Sequence, residues 1–257
     1  MSRFIAELQV DDQIFQSHDN IMSGWNKHFG QLAQKSDYEK FDIKYLELIE
    51  KEREIITQIC EENCIHIKEV TIEEVNTATK QLNTNKAHDY FGLTAENFIH
   101  ASNQLIEHLK QLINVCFHFC HIPDLLKIGT LFPVIKEKGD IKNSRNYRGI
   151  TITPTYSKII EKIIKEREKS KILLSQNPLQ KGFTENSTPL LCELFIEEFE
   201  RESKDSKLPV YIAMLDGKSV FDVVIHANLI RRLFQIGISK QSILFITKLI
   251  SKCKIIY

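Results

Sequence analysis

Residues Tyr211–Val224 read YIAMLDGKSVFDVV. A largely apolar run passes straight into an acid, Asp216, and an aromatic and a second acid follow at Phe221 and Asp222. An apolar run of that length closing on a carboxylate predicts a buried strand that delivers Asp216 at its carboxyl end. Open sheets commonly hold their chemistry at that end. Taken alone, an acid after a strand is more often a surface side chain or a helix cap, so the surrounding text has to decide.

On the amino side, LQKGFTENSTPL (Leu179–Leu190) closes on Thr188-Pro189, a favourable helix start. Leu191, Leu194, Phe195 and Ile196 give the ensuing helix, which runs to about Ser203, its apolar side. Phe183 reads as a core residue. In TYSKIIEKIIKERE (Thr155–Glu168), Ile159, Ile160, Ile163 and Ile164 gather on one side and charges on the other. Two β-prone runs, LFPVIK and YRGITIT, flank a polar, Lys-rich connection within Gly129–Thr153, the pattern of a hairpin.

Ser102 to Cys120 has the strongest helical period, with Leu105, Leu109, Leu112, Ile113, Cys116, Phe117 and Cys120 on one face and Pro123 closing it. Cys116, His118, Cys120 and His121 invite a zinc reading, but the cysteines share the apolar stripe, so they read as core. Thr71 and Glu74 form a capping box ahead of Val75, Ala78 and Leu82. In NKAHDYFGLTAENF (Asn85–Phe98), Gly92 supplies a turn and Thr94 a cap. Residues 1–70 read as mostly helical. Met22, Trp25, Phe29 and Leu32 share a face, and Asp42 caps an amphipathic helix reaching Glu62. Cys60 and Cys64, one turn apart, read as helix residues and not ligands.

Thirty-four basic and 34 acidic side chains cancel, whereas a free-standing nucleic-acid binder is usually clearly basic. Any such role rests on local patches. A hydrophobic content of 42% supports a core. No run approaches a membrane span and no signal-peptide pattern opens the chain. Six scattered cysteines fit reduced thiols in a cytoplasmic or nuclear protein that is not secreted.

The ordered segments NKA…GLT, PVIKEKGD, NYRGIT, SKIIEKII, LQKGF and LDGKSVFD resemble, in that order, the reverse transcriptases of non-LTR (LINE-type) retrotransposons. Each is weak alone; six in sequence over residues 71–235 are specific. The resemblance implies a predominantly helical α+β fold, a partial right-hand polymerase. Residues 1–70 would be a helical connector, 71–205 a fingers-like part and 206–257 the start of a palm. It implies RNA-directed DNA synthesis with Mg²⁺, an RNA template, a DNA primer and dNTPs. Asp216 would be the catalytic and metal-binding carboxylate. Lys136 and Arg148 would hold the nucleotide triphosphate, with Lys138 a neighbouring candidate, and Phe221 would be the aromatic gate against a ribose 2′-hydroxyl. Lys86 and Gln180 would touch the template; a solvated lysine and a residue that orders the palm are the plainer readings of the two. Asp222 would order the turn.

Two positions depart from the family pattern: Gly149 stands where proline is commoner, and Val220 where alanine is usual. The second carboxylate box, Tyr/Phe-x-Asp-Asp, has no match before Tyr257; the adjacent acids Asp11-Asp12 lie outside any matching context. The isolated chain is therefore expected to lack polymerase activity and to expose apolar palm surface. The alternative is a non-catalytic helical module for RNA binding or protein interaction.

Overall fold

A computed structural model describes residues 5–33, 42–62, 67–136, 139–217, 221, 224–251 and 253–256. Helices dominate, and two small sheets accompany them. No helix among the described residues is long and apolar enough to cross a membrane.

The largest core is helical. Helix α3 (Ile72–Lys80) starts in the capping box: Thr71 Oγ1 accepts from the Glu74 N–H, and the Glu74 carboxylate accepts from the Thr71 N–H. A short α4 (Ala95–Ile99) follows, then α5 (Asn103–His118), capped by Ser102, and α6 (Thr155–Ser175). Val75, Ile113, Ile159 and Ile160 are fully buried where these helices meet. The four isoleucines of α6 face inward together, as their spacing predicts. On α5 the buried stripe is Ile106, Leu109, Ile113, Cys116 and Phe117, while Leu105 and Leu112 stay exposed. Leu109, Ile113, Cys116 and Phe117 are thus buried as read in the sequence, and Ile106 takes the place expected of Leu105 and Leu112. The choice follows from packing: Ile106 and Ile113 lie a heptad apart on the side that meets α3 and α6.

A second cluster joins the amino end to the sheet. Strands β1 (Glu7–Val10) and β2 (Gln13–Gln16) pair antiparallel around a two-residue turn at Asp11-Asp12, with Asp11 left-handed at φ 51°. Leu8 and Val10 are fully buried beneath α1 (His18–Ala33). Trp25 and Phe29 of α1 then pack on Leu131 and Tyr147. Those last two belong to β3 (Ile128–Ile135) and β4 (Tyr147–Ile152), the antiparallel hairpin that the sequence predicts. The segment read as mostly helical therefore opens with a hairpin, and Leu32, assigned to the α1 face, is exposed.

The third cluster packs α2 (Ile43–Glu62), which starts at Asp42 as predicted, against α8 (His226–Gln235) and α9 (Lys240–Ile250). Cys60 is buried there; Cys64 lies outside the described residues. Glu168 of α6 reaches this layer. Its buried carboxylate accepts from Lys171 Nζ of the same helix and from Ser239 Oγ and Ser242 Oγ at the start of α9. Burial pushes this carboxyl up, yet those three donors outweigh it and leave the group below its ordinary value. Strand β5 (Lys254–Ile256) adds parallel to β3, giving the order β4-β3-β5.

The expected strand ending at Asp216 is not formed. Residues 211–217 run as irregular backbone, and Tyr211, Met214 and Leu215 are 92, 88 and 100% exposed. A strand needs a neighbour to pair its N–H and C=O groups, and no described strand lies alongside. Helix α7 (Pro189–Asp205) begins at Thr188-Pro189 as predicted, but its apolar side is also uncovered, with Leu190, Phe195 and Phe199 exposed.

Candidate nucleotide and nucleic-acid sites

The β3–β4 hairpin presents two unlike faces. Gly129, Leu131, Pro133, Tyr147, Gly149 and Thr151 alternate toward α1, and the register pairs Phe132 with Ile150 and Val134 with Arg148 on the opposite side. That outer face is exposed, apolar and carries one guanidinium. The Arg148 side chain makes no hydrogen bond or ion pair with any described residue. Lys136 follows β3 at the tip. Its backbone N–H donates to the Asn146 carbonyl at 2.8 Å, and its Nζ to the Arg145 carbonyl at 2.7 Å.

The connection is held from beneath by the amino-terminal hairpin. The Gln9 N–H donates to the Lys142 carbonyl at 2.6 Å, Lys142 pairs with Glu7, and Arg145 pairs with Asp11 at 2.9 Å. Tyr147 Oη donates to the Ile141 carbonyl at 2.7 Å, and burial pushes that phenol up. His28 lies half-buried under the same tip. Burial lowers its imidazole, Asp11 opposes that effect, and Arg145 and Lys136 reinforce it. The acid pair Asp11-Asp12 is thus a turn whose first member neutralises Arg145, whereas the Lys136 and Arg148 side chains face no carboxylate among the described residues. Sequence reasoning missed this support; the signal was the ELQV-DD-QIFQ alternation.

The other predicted site residues lie apart from that tip. Gln180 sits in the connection between α6 and α7, where its side-chain amide donates to the Gly182 carbonyl and its own carbonyl accepts from Gln176 and Thr184. It orders its own loop. Phe183, read as core, is 94% exposed because nothing described packs over this connection; its ring meets Phe221 edge-on at 5.9 Å. Asp216 is exposed, and no hydrogen bond, ion pair or ring contact joins it to Lys136, Arg148 or Phe221 among the described residues. Lys138, Val220 and Asp222 lie outside the described residues.

Magnesium requires several oxygen ligands in near-octahedral array. Among the described residues no group of three or more His, Cys, Asp or Glu gathers in that way. Asp216 by itself does not hold such an ion, so no chemical step through a metal follows from these residues. The zinc reading of Cys116–His121 fails equally: Cys116 is core, and burial raises its thiol.

Lys86 lines a cleft of about 420 Å³ between the α3–α4 connection and α6, together with Asn83, Lys158, Glu161, Lys162 and Lys165. Asp89 locks that connection in place. Its Oδ1 accepts from the N–H groups of Phe91 and Leu93, and its Oδ2 accepts from the Thr155 N–H at the start of α6 at 2.7 Å. Gly92 supplies the expected turn and is left-handed, at φ 75°. Asp89 lies in the turn segment that Gly92 marks in the sequence, but its reach to residue 155 was not legible there.

No known protein-family model matches this chain. Over 114 residues it is 26% identical to the Retrovirus-related Pol polyprotein from type-1 retrotransposable element R2 of Popillia japonica. The chain is a distant, partial homologue of that polyprotein. The match covers 44% of this chain and 16% of the polyprotein's length.

Proposed function

We propose that this chain is the fingers region, with the approach to the palm, of a retrotransposon reverse transcriptase. The observation that carries the reading is the β3–β4 hairpin, which holds Arg148 and Lys136 clear of carboxylates among the described residues, above a braced base. The order of motifs and the distant relation to a retrotransposon Pol polyprotein support it. In this reading the planar guanidinium of Arg148 grips two oxygens of a dNTP triphosphate, and Lys136 exchanges the Arg145 carbonyl for a third. Phe221 provides the floor that a ribose 2′-hydroxyl would strike, with Phe183 against its edge. Asp216 would supply one carboxylate toward Mg²⁺, whose chemistry would be to neutralise the attacking and leaving oxygens of phosphoryl transfer, and further ligands would be required.

The test is binding of a fluorescent dATP to the chain. Arg148→Ala should weaken it about 10-fold or more and Lys136→Ala somewhat less, since a charge-assisted hydrogen bond contributes about 1.5–3 kcal/mol. Affinity that ignores both substitutions would overturn the nucleotide assignment. A second reading, a nucleic-acid-binding module without catalysis, draws on the lone Asp216. Primer extension on an RNA template that depends on Asp216 would decide for the enzyme; RNA binding without extension would decide for the module.

A further inference from the structure

We infer that helix α7 of one copy of this chain docks along α6 of a second copy, with the α7 glutamates seated on the lysines that line the cleft beside α6. The inference stands apart from the reading above, whose nucleotide residues lie on the β3–β4 hairpin. Lys158, Lys162 and Lys165 recur at i, i+4 and i+7 on one face of α6, and Glu193, Glu197 and Glu200 recur at the same intervals on α7. Both stripes step by four residues and then by three, so they match position for position when the two helices lie parallel. Each extends about 10 Å at 1.5 Å per residue.

Neither stripe is neutralised within its own chain. The Lys158 and Lys162 side chains form no ion pair or hydrogen bond with any described residue, and that of Lys165 reaches only Glu185, at 3.9 Å. On α7 the Glu193 and Glu197 side chains likewise form none, and that of Glu200 reaches only Lys204, at 3.9 Å. Their neighbours are already committed: Arg167 to Glu74, Lys169 to Glu185, Lys171 to Glu168 and Glu198 to Arg201. Lys86 adds a further cation to the cleft, where Glu161 is the one carboxylate among the lining residues. Helix α7 carries six acidic side chains against two basic ones. The chain is neutral as a whole, so it supplies both a basic groove and an acidic helix that offsets it. Complementary charge across a contact fixes register as well as drawing the partners together.

The apolar surroundings fit the same contact. Leu190 and Leu194 are exposed and lie three residues before Glu193 and Glu197, so they border the acidic stripe. On the wall that carries Lys86, Tyr90 and Phe91 are also exposed, their rings edge-on at 5.2 Å. An amphipathic helix laid along the lysines brings its leucines toward these rings, as a helix does when it fills a groove. Asp89 fixes this wall to the start of α6, so the groove is formed before α7 arrives. Within one chain no ion pair among the described residues joins α7 to α6, and Glu185 already ties the connection between them to Lys165 and Lys169. A second copy approaches without that tether.

Two charge-reversed chains test the contact, with association followed by fluorescence anisotropy of labelled protein. One carries Lys158→Glu, Lys162→Glu and Lys165→Glu; the other carries Glu193→Lys, Glu197→Lys and Glu200→Lys. Each alone should self-associate about 10-fold or more weakly than the unaltered chain at about 0.1 M salt, where screening acts over about 10 Å. Mixed, the two should bind each other about 10-fold or more tightly than either binds itself, because each reversed stripe then meets its opposite. The apolar side of α7 is common to every pairing, so the difference isolates the charges. A chain with both sets of reversals should associate as the unaltered chain does, which separates charge pairing from loss of fold. Should the α6 reversal melt early, Lys162→Glu against Glu197→Lys reads the same cycle at the middle position, with about 2- to 3-fold expected for one exposed pair. Equal affinities for like and mixed pairs would overturn the proposal, as would an unaltered chain that stays monomeric at every concentration. None of these substitutions touches Arg148 or Lys136, so a failure here leaves the dATP result standing.

Discussion

Gly149 lies opposite Pro133 in the β3–β4 hairpin, and a methyl group on its Cα would come within 2.8 Å of the Phe29 ring and 3.2 Å of Leu131 Cδ1. Phe29 has little room to retreat, since it is buried and stacked on Trp25 at 5.6 Å. The departure from proline at this position therefore has a local cause: α1 occupies the space that a ring or a β-carbon would need. Gly149→Ala should destabilise the protein by about 1–3 kcal/mol through overpacking. In a double-mutant cycle with Phe29→Leu, the combined loss should be smaller than the sum of the two, because the shorter side chain frees the methyl. Urea unfolding of the four proteins measures this, and strict additivity would refute the contact as the cause.

The helices are tied together by charges that serve two purposes at once. The Glu74 carboxylate closes the cap of α3 and also takes both arms of Arg167 from α6, at 2.7 and 2.8 Å. Arg167 gives its remaining donors to the carbonyls of Lys68 and Glu69 and lies 5.6 Å over the Phe117 ring. The Arg167 hydrogen bonds hold the Glu74 carboxyl below its ordinary value, with burial opposing them. A depressed folded value means that the unfolded chain takes up the proton first on acidification. The stabilisation from this group is therefore complete above the ordinary glutamate range and is lost as pH falls through the lower, folded value. Glu74→Gln should cost about 1–2 kcal/mol at pH 7 and much less at pH 3, the pair being partly solvated. Stability curves for both proteins at the two pH values check it; an equal loss at each would assign the effect to the cap alone. This cap was plain in the sequence because Thr71 and Glu74 stand three apart, as were α6, α7 and the β3–β4 hairpin, all written in local periodicity. Arg167 was not, since its partner lies 93 residues away. The β1–β2 hairpin escaped notice because its turn is Asp-Asp without glycine and Ile14 faces solvent, blurring the alternation. Lys136 and Arg148 could be placed on a hairpin, but their relation to Asp216 depends on strand pairing that an apolar run alone does not specify.

Across the molecule, apolar surface is distributed unevenly. The three clusters account for most helices, yet α7 and residues 211–215 leave Phe195, Phe199, Tyr211, Met214 and Leu215 in water, with Phe183 and Phe221 beyond them. Exposed large apolar side chains in this number are uncommon in a monomer and favour association. Zero net charge removes the long-range repulsion that would oppose it. The chain should therefore self-associate in a concentration-dependent way, sedimenting above its 29.9 kDa mass at tens of micromolar. Since α7 buries only Ser203, substitutions on its exposed side should leave the fold intact. Phe195→Lys with Phe199→Lys should shift the distribution toward monomer by at least 10-fold in apparent dissociation constant, with the melting temperature little changed. Changing Leu105 and Leu112, exposed on α5 and separate from this face in sequence, should have a much smaller effect. Sedimentation velocity over a concentration series distinguishes these outcomes. A wild-type chain that stays monomeric throughout would mean that α7 and residues 211–215 fold back over one another in solution, burying the surface that is open here.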